Sequence, residues 1–245
     1  MARMRSSNPA LNETTFTREP ALRDSPTMTI RGAVNKSTLL VAICALSAAF
    51  SWKLTLAGPG MAIAIGGALV GFVVGLVLCF KHTWAPTLAP VYAVAEGLFL
   101  GGISAVANAA SKGIVLQAVA LTFGVLFALL AAYQMRLIRA SEKFKLGVMA
   151  ATGGIAIFYL IAMVLGFFGI HLAFLHEGGT FGILFSLFVV TIAALNLVLD
   201  FDLIENGANA GAPKYMEWYA AFGLLVTLVW LYLEVLRLLQ KMNRR

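Results

Sequence analysis

The chain has 245 residues, of which 60% are hydrophobic and only 12% are charged. Because soluble domains are about 25% charged, this composition excludes a soluble globular protein and predicts a membrane protein. The net charge of +7 does not indicate nucleic-acid binding, since the basic residues lie in the tails and between apolar segments, where membrane orientation requires them.

Seven apolar segments follow one another, each with about the 20 residues that an α-helix needs to cross the hydrocarbon core of a bilayer. Their apolar runs are continuous rather than alternating, which favours helices over a membrane β-barrel. We therefore predict an all-α, polytopic membrane protein with a bundle of seven transmembrane helices. The predicted spans are 37–56, 61–80, 84–108, 113–135, 146–170, 180–201 and 218–239.

The chain ahead of the first span differs in composition from the rest. Residues 1–36 contain no apolar segment and mix arginines with carboxylates, which is typical of a chain that cannot bury enough apolar surface to order itself. We predict a flexible polar tail at 1–36 and a transmembrane domain at 37–240.

Lys and Arg residues are distributed unequally between the two sides of the predicted bundle. If the N-terminus is cytoplasmic, the cytoplasmic segments hold twelve of the 18 basic residues, four of them between the fourth and fifth spans. Because cytoplasmic loops carry an excess of Lys and Arg, we predict a cytoplasmic N-terminus.

Small residues recur every four positions in the second and third spans. This spacing lets helix backbones approach each other closely in lipid, so we predict tight packing along two ridges. The ridges are Gly67, Gly71 and Gly75 in one span and Ala93, Gly97 and Gly101 in the next.

Glu96 lies twelve residues into the third predicted span. A charged side chain at such a depth costs roughly 2.5–3.5 kcal/mol or more, so the carboxyl group must be protonated, paired or turned towards a wet cavity. Two interpretations stay open. Glu96 is either a neutral acid that hydrogen-bonds to a neighbouring helix, or a proton- or ion-responsive group.

Three polar residues close the sixth predicted span. Asn196 precedes Asp200 by four residues and shares its helix face, whereas Asp202 lies about 200° around the helix from Asp200. The two aspartates therefore do not face one site. Either they mark an interfacial helix end, or Asp200 faces the interior as a proton-titrated gate or a ligand for calcium, a hard cation that prefers carboxylate oxygens.

Enzyme signatures are weak throughout the chain. No nucleophile–base pair stands out, and Cys44 and Cys79 are isolated in predicted spans without a metal-ligand spacing. We therefore expect no enzymatic activity and no cofactor.

Three motifs in combination resemble the Bax inhibitor family. Residues 90–101, with Glu96 followed by Gly97, resemble the third-helix motif of that family. Residues 196–205 resemble its sixth-helix aspartate motif, and residues 215–219 with the apolar helix after them resemble its last span. The resemblance covers about residues 30–240 and is closest to the bacterial YccA-like branch, which implies a multi-pass protein of the cell inner membrane.

The resemblance implies a seven-helix bundle with a central last helix and, in some members, a pH-sensitive calcium leak. In those members two aspartates on the last two helices share a proton and hold the pore closed. Asp200 matches the first of them, but Thr227 stands where the second is expected, and the second span lacks the arginine of some leak members. Candidate substitutes for the second aspartate are Glu96, Asp202, Glu205 and Glu217.

The leading hypothesis is a Bax-inhibitor-like membrane protein that acts as a pH-sensitive calcium or cation leak gated by intramembrane carboxylates. Its ion- and proton-sensing residues would be Asp200, Glu96, Asn196 and Asp202, with Asp200 as the calcium ligand and the lipid bilayer as its surroundings. The alternative is a non-transporting regulator, a YccA-like modulator or substrate of a membrane-anchored protease that engages the polar tail. A weaker alternative is a secondary transporter with Glu96 as proton carrier. Nucleic acid is not an expected partner.

Overall fold

The computed structural model describes residues 26–58, 60–169 and 179–243, so most of the predicted tail lies outside the described residues. The described chain forms seven α-helices, all long and apolar enough to cross a membrane. This confirms the predicted seven-helix bundle. The helices are α1 Ile30–Leu56, α2 Gly60–Phe80, α3 Ala85–Ala110, α4 Ile114–Gln134, α5 Glu142–Phe167, α6 Thr180–Asn209 and α7 Met216–Asn243, with a 3₁₀ turn at His82–Trp84 before α3.

Two helices extend furthest beyond their predicted ends, α1 at its start and α6 at its end, and charged residues inside both extensions are paired. Helix α1 begins at Ile30 instead of residue 37, after the Thr29 hydroxyl caps it by accepting a hydrogen bond from Gly32 N at 3.0 Å. The charge of Lys36, which the prediction placed outside the span, pairs with Glu217. Helix α6 continues to Asn209 instead of ending at residue 201.

Helix α7 lies at the centre of the bundle, as the resemblance implies. It packs against α1, α3, α4 and α6, whereas α5 packs extensively only against α6. Most of the described core belongs to one cluster of buried apolar side chains, to which α6 and α7 contribute the largest share. The two helices that carry Asp200 and Thr227 therefore pack against each other within this core.

The glycines of α3 permit the close approach of α1. A Cβ atom at Gly97 would collide with the carbonyl oxygen of Cys44, and one at Gly101 with that of Ala48. The Ser51 hydroxyl of α1 also donates a hydrogen bond of 2.7 Å to a backbone carbonyl of α3. The predicted tight packing along this ridge is confirmed.

One end of the bundle collects the start of α1, the 3₁₀ turn and the connection between α6 and α7. Met28 N donates to Ala212 O at 2.7 Å, and Thr27 forms an isolated antiparallel bridge with Pro213. The ring of His82 stacks on Tyr215 at a centroid distance of 6.0 Å. Residues 26–29, directly before α1, therefore contact the connection between α6 and α7 and the start of α7.

Candidate functional site

Asp200 lies in the interior of the bundle. Its side chain is 1% exposed, and among the described residues neither carboxyl oxygen has a hydrogen-bond partner. The residue is nine positions before the end of α6, or about 14 Å along the helix. Asp200 is therefore an unpaired buried carboxyl group and not the exposed end of a helix.

A polar side chain of the central helix lies close to this carboxyl group without meeting the geometry of a hydrogen bond. Thr227 of α7 lies beside Asp200, and its Oγ1 donates to Gly223 O of its own helix at 3.3 Å. The residue at the position of the expected second aspartate thus does face the first one. A hydroxyl group occupies the place where a second carboxyl group would stand.

Asn196 connects α6 to α5. Its Nδ2 donates to Thr152 Oγ1 at 2.8 Å and to Ile192 O at 2.8 Å. Asn196 is one helical turn before Asp200, but these contacts engage it with the peripheral helix α5. The structure therefore gives Asn196 a bridging position between helices.

Asp202 faces away from Asp200, as the two-residue spacing predicted. Its Oδ2 lies 2.8 Å from Lys145 Nζ at the start of α5 and accepts a hydrogen bond of 2.9 Å from Asn206. Three residues later, Glu205 accepts from the Tyr133 hydroxyl at 2.5 Å. These contacts hold α4, α5 and α6 together at one end of the bundle.

Glu96 lies on the side of α3 that faces α2. A Cβ atom at Gly71 would lie 3.1 Å from Glu96 Oε1, so the absence of a side chain there leaves room for the carboxyl group. The Tyr92 side chain, one turn earlier on α3, interacts with Glu96. Both residues line a cavity of about 460 Å³ that also reaches Phe222 and Val226 of α7.

None of the four candidate substitutes forms a hydrogen bond with Asp200. Asp202 and Glu205 are held by residues of α4 and α5, and Glu96 faces the α2 side. Glu217 is fully buried near the start of α7, where it accepts from Thr29 N at 2.9 Å. A shared-proton pair of carboxylates is therefore not formed in this conformation.

At the predicted calcium position, Asp200 has no cluster of acidic residues around it among the described residues. Calcium takes about six to eight oxygen ligands, whereas the described chain contains no cluster of three or more His, Cys, Asp or Glu residues that could hold a metal ion. Asp200 would contribute one carboxyl group. The remaining ligands of a calcium ion there would have to be hydroxyl, carbonyl or water oxygens.

A family model described as "Bax inhibitor 1 like" matches residues 8–244, nearly the whole chain. The chain belongs to the Bax inhibitor 1-like family. No curated protein and no solved structure matched the chain. With its seven apolar helices, this family member is a multi-pass membrane protein.

This Bax inhibitor 1-like protein has a second group of buried polar residues at the opposite end of α7. Glu234 and Arg237, three residues apart on α7, pair at 2.8 Å, and the Tyr159 hydroxyl of α5 donates to Glu234 at 3.1 Å. Lys241, which is 2% exposed, donates to Ser186 Oγ at 2.8 Å. The sequence signalled the pair within α7 through its three-residue spacing, but it gave no signal for the partners from other helices.

Proposed function

We propose that this protein is a pH-sensitive cation leak of the inner membrane, with a cytoplasmic N-terminus and Asp200 as its proton-titrated gate. Calcium is the ion to be tested first, and no enzymatic step is involved. The observation that supports this function is the buried Asp200 carboxyl group, which has no hydrogen-bond partner among the described residues and lies against the central helix.

The gating follows from the cost of burying a charge. A polar group without a partner loses several kcal/mol when it is taken out of water, and an ionised one loses far more. The described packing around Asp200 therefore suits the neutral acid. Ionisation at higher pH favours a rearranged bundle in which water or a cation reaches the carboxylate, so protonation shifts a two-state equilibrium between closed and open conformations.

Glu96 is proposed as a second responsive carboxyl group. Its cavity reaches Val226 of α7, which is the residue next to Thr227 in the sequence. The Glu96 cavity and the Asp200 site thus border the same helix. A shift of α7 would change both environments, and we expect the substitution Glu96→Gln to alter the flux less than a substitution at Asp200.

The test is ion flux into proteoliposomes that contain a calcium indicator, measured between pH 6 and pH 8. Wild-type flux is expected to rise with pH. Asp200→Asn, which keeps the shape of the neutral acid, is expected to give low flux at every pH. The matched control is Asp202→Asn, because Asp202 is paired with Lys145 on the other side of the helix. Equal flux and equal pH dependence for wild type and Asp200→Asn would reject this role.

A second candidate function is supported by the hydroxyl group at Thr227. Because Asp200 has no second carboxyl group beside it, we propose as the alternative that the protein is a non-transporting regulator. This is in keeping with its resemblance to the YccA-like branch. A membrane-anchored protease would then engage the N-terminal tail. Deletion of residues 2–24 spares the Pro26–Thr29 segment that contacts the last hairpin. Unchanged turnover and unchanged protease co-purification after this deletion would argue against tail-mediated regulation.

A further inference from the structure

Helices α1 and α4 face each other across a groove. They are not among the helix pairs that pack extensively, and two cavities of about 520 and 480 Å³ lie between them. Both cavities are lined by Val41, Phe123 and Leu228. They therefore form one continuous groove, the α1–α4 groove, whose floor includes the central helix α7.

The half of the groove that ends at Lys53 has an apolar wall. Ala45 and Ala49 of α1 present only methyl groups to it, and Val119 of α4 lies opposite. Two polar groups of this half, Ser104 and Tyr232, are buried and hydrogen-bonded to each other at 2.6 Å. The surface of this half suits a hydrocarbon chain.

The length of this half is close to, and slightly greater than, the hydrocarbon depth of one lipid leaflet. From Val41 to Lys53 helix α1 rises about 18 Å, and one leaflet contributes about 15 Å of hydrocarbon. Lys53 therefore lies at headgroup level when an acyl chain fills the groove. Trp52, which also lines the groove, belongs to the residue type that concentrates at membrane interfaces.

The charges at the two ends of the groove differ. Arg136, at the far end, is held by Glu205 at 2.8 Å. Lys53 is exposed, and no carboxylate of the described chain forms an ion pair with it. With the proposed cytoplasmic N-terminus Lys53 lies on the non-cytoplasmic side, where its ammonium group attracts a headgroup of net negative charge, so charge complementarity selects the Lys53 end.

We propose that the α1–α4 groove is a binding site for one anionic phospholipid. The phosphate lies on the Lys53 ammonium group, and one acyl chain fills the groove between Val41 and Trp52. The site is separate from Asp200, which does not line the groove. The lipid would fill the space that the sparse contact between α1 and α4 leaves open.

The site can be tested by native mass spectrometry of the purified protein with equimolar phosphatidylglycerol and phosphatidylcholine. Wild type is expected to retain one phosphatidylglycerol. Ala45→Phe, which fills the groove, is expected to lower that occupancy at least about tenfold, and Ala49→Phe provides a second variant if the first does not fold. The matched control is Ala42→Phe, since Ala42 is exposed on α1 but does not line the groove.

The headgroup contact has its own variant. Lys53→Gln is expected to reduce the preference for phosphatidylglycerol over phosphatidylcholine by about fivefold, the effect of about one basic residue near a lipid surface. Equal retention of phosphatidylglycerol by wild type and both groove-filling variants would overturn the proposal. A wild type without preference between the two lipids, or a dimer mass in place of the lipid adduct, would overturn it as well.

Discussion

Glu217 and Gly32 provide a sharp test of the contact between α1 and α7. The buried Glu217 carboxylate accepts from Thr29 N at 2.9 Å and is paired with Lys36 and with Lys214, the latter at 2.9 Å. A Cβ atom at Gly32 would collide with this carboxylate. Substitution of either residue therefore removes the same set of contacts.

The magnitudes follow from these contacts. Removing one partner of a buried ion pair costs about 3–5 kcal/mol. Because the side chains of Lys36 and Lys214 are 19% and 48% exposed, we expect the lower end, about 3 kcal/mol, for Glu217→Ala. Gly32→Ala displaces the same carboxylate but regains about 1 kcal/mol of helix propensity, which leaves a cost of about 2 kcal/mol.

The double variant separates this explanation from two independent effects. With Glu217 truncated, the methyl group that Gly32→Ala adds has room, so we expect a total cost of about 2 kcal/mol for the pair rather than the additive cost of about 5 kcal/mol. The free energies are measured by SDS titration in mixed micelles, followed by far-ultraviolet circular dichroism. Gly147→Ala, in open space on α5, controls for helix propensity. An additive cost would show that Glu217 and Gly32 do not compete for one position.

Two further changes test the packing and the ion pairs of the bundle by the same unfolding measurement. Gly97→Ala is expected to destabilise by about 1–3 kcal/mol through overpacking against α1, whereas Gly124→Ala, in open space on α4, should be neutral or stabilising; equal effects would contradict the close contact. Lys145→Met leaves Asp202 without its partner at 2.8 Å and should cost about 1–3 kcal/mol. Lys143→Met, at an exposed position, should change stability by less than about 0.5 kcal/mol, and a similar loss for both variants would assign no special role to the Asp202 pair.

The number and class of the helices could be predicted because each apolar segment signals its own span. The ends of the helices could not be predicted where a charged residue is neutralised by a partner that is distant in the sequence. Lys36 marked an apparent boundary, yet its partner Glu217 lies 181 residues away. The polar run after residue 199 had the same effect, since the partners of Asp202 and Glu205 come from α4 and α5.

For the candidate site, helical periodicity predicted on which side of its helix a residue lies, but not which residues of other helices it contacts. The angle between Asp200 and Asp202 follows from their spacing, and the structure has them on different sides. The position of Thr227 against Asp200 followed from the resemblance and not from any local pattern. The cavity at Glu96 depends on how far α2 stands from α7, a distance that no single helix encodes. Tyr92, four residues before Glu96, was the available sign of a partner on the same face.

The contact between Thr29 and Glu217 spans 188 positions of the chain, and this separation orders events during translation. At about 5–20 residues per second, the glutamate leaves the ribosome roughly 10–40 s after the threonine. In that interval the start of α1 lacks its buried acceptor and Lys36 lacks its counter-charge. Helix α1 thus reaches its native N-terminal contacts only after helix α7 has been synthesised and has packed beside it.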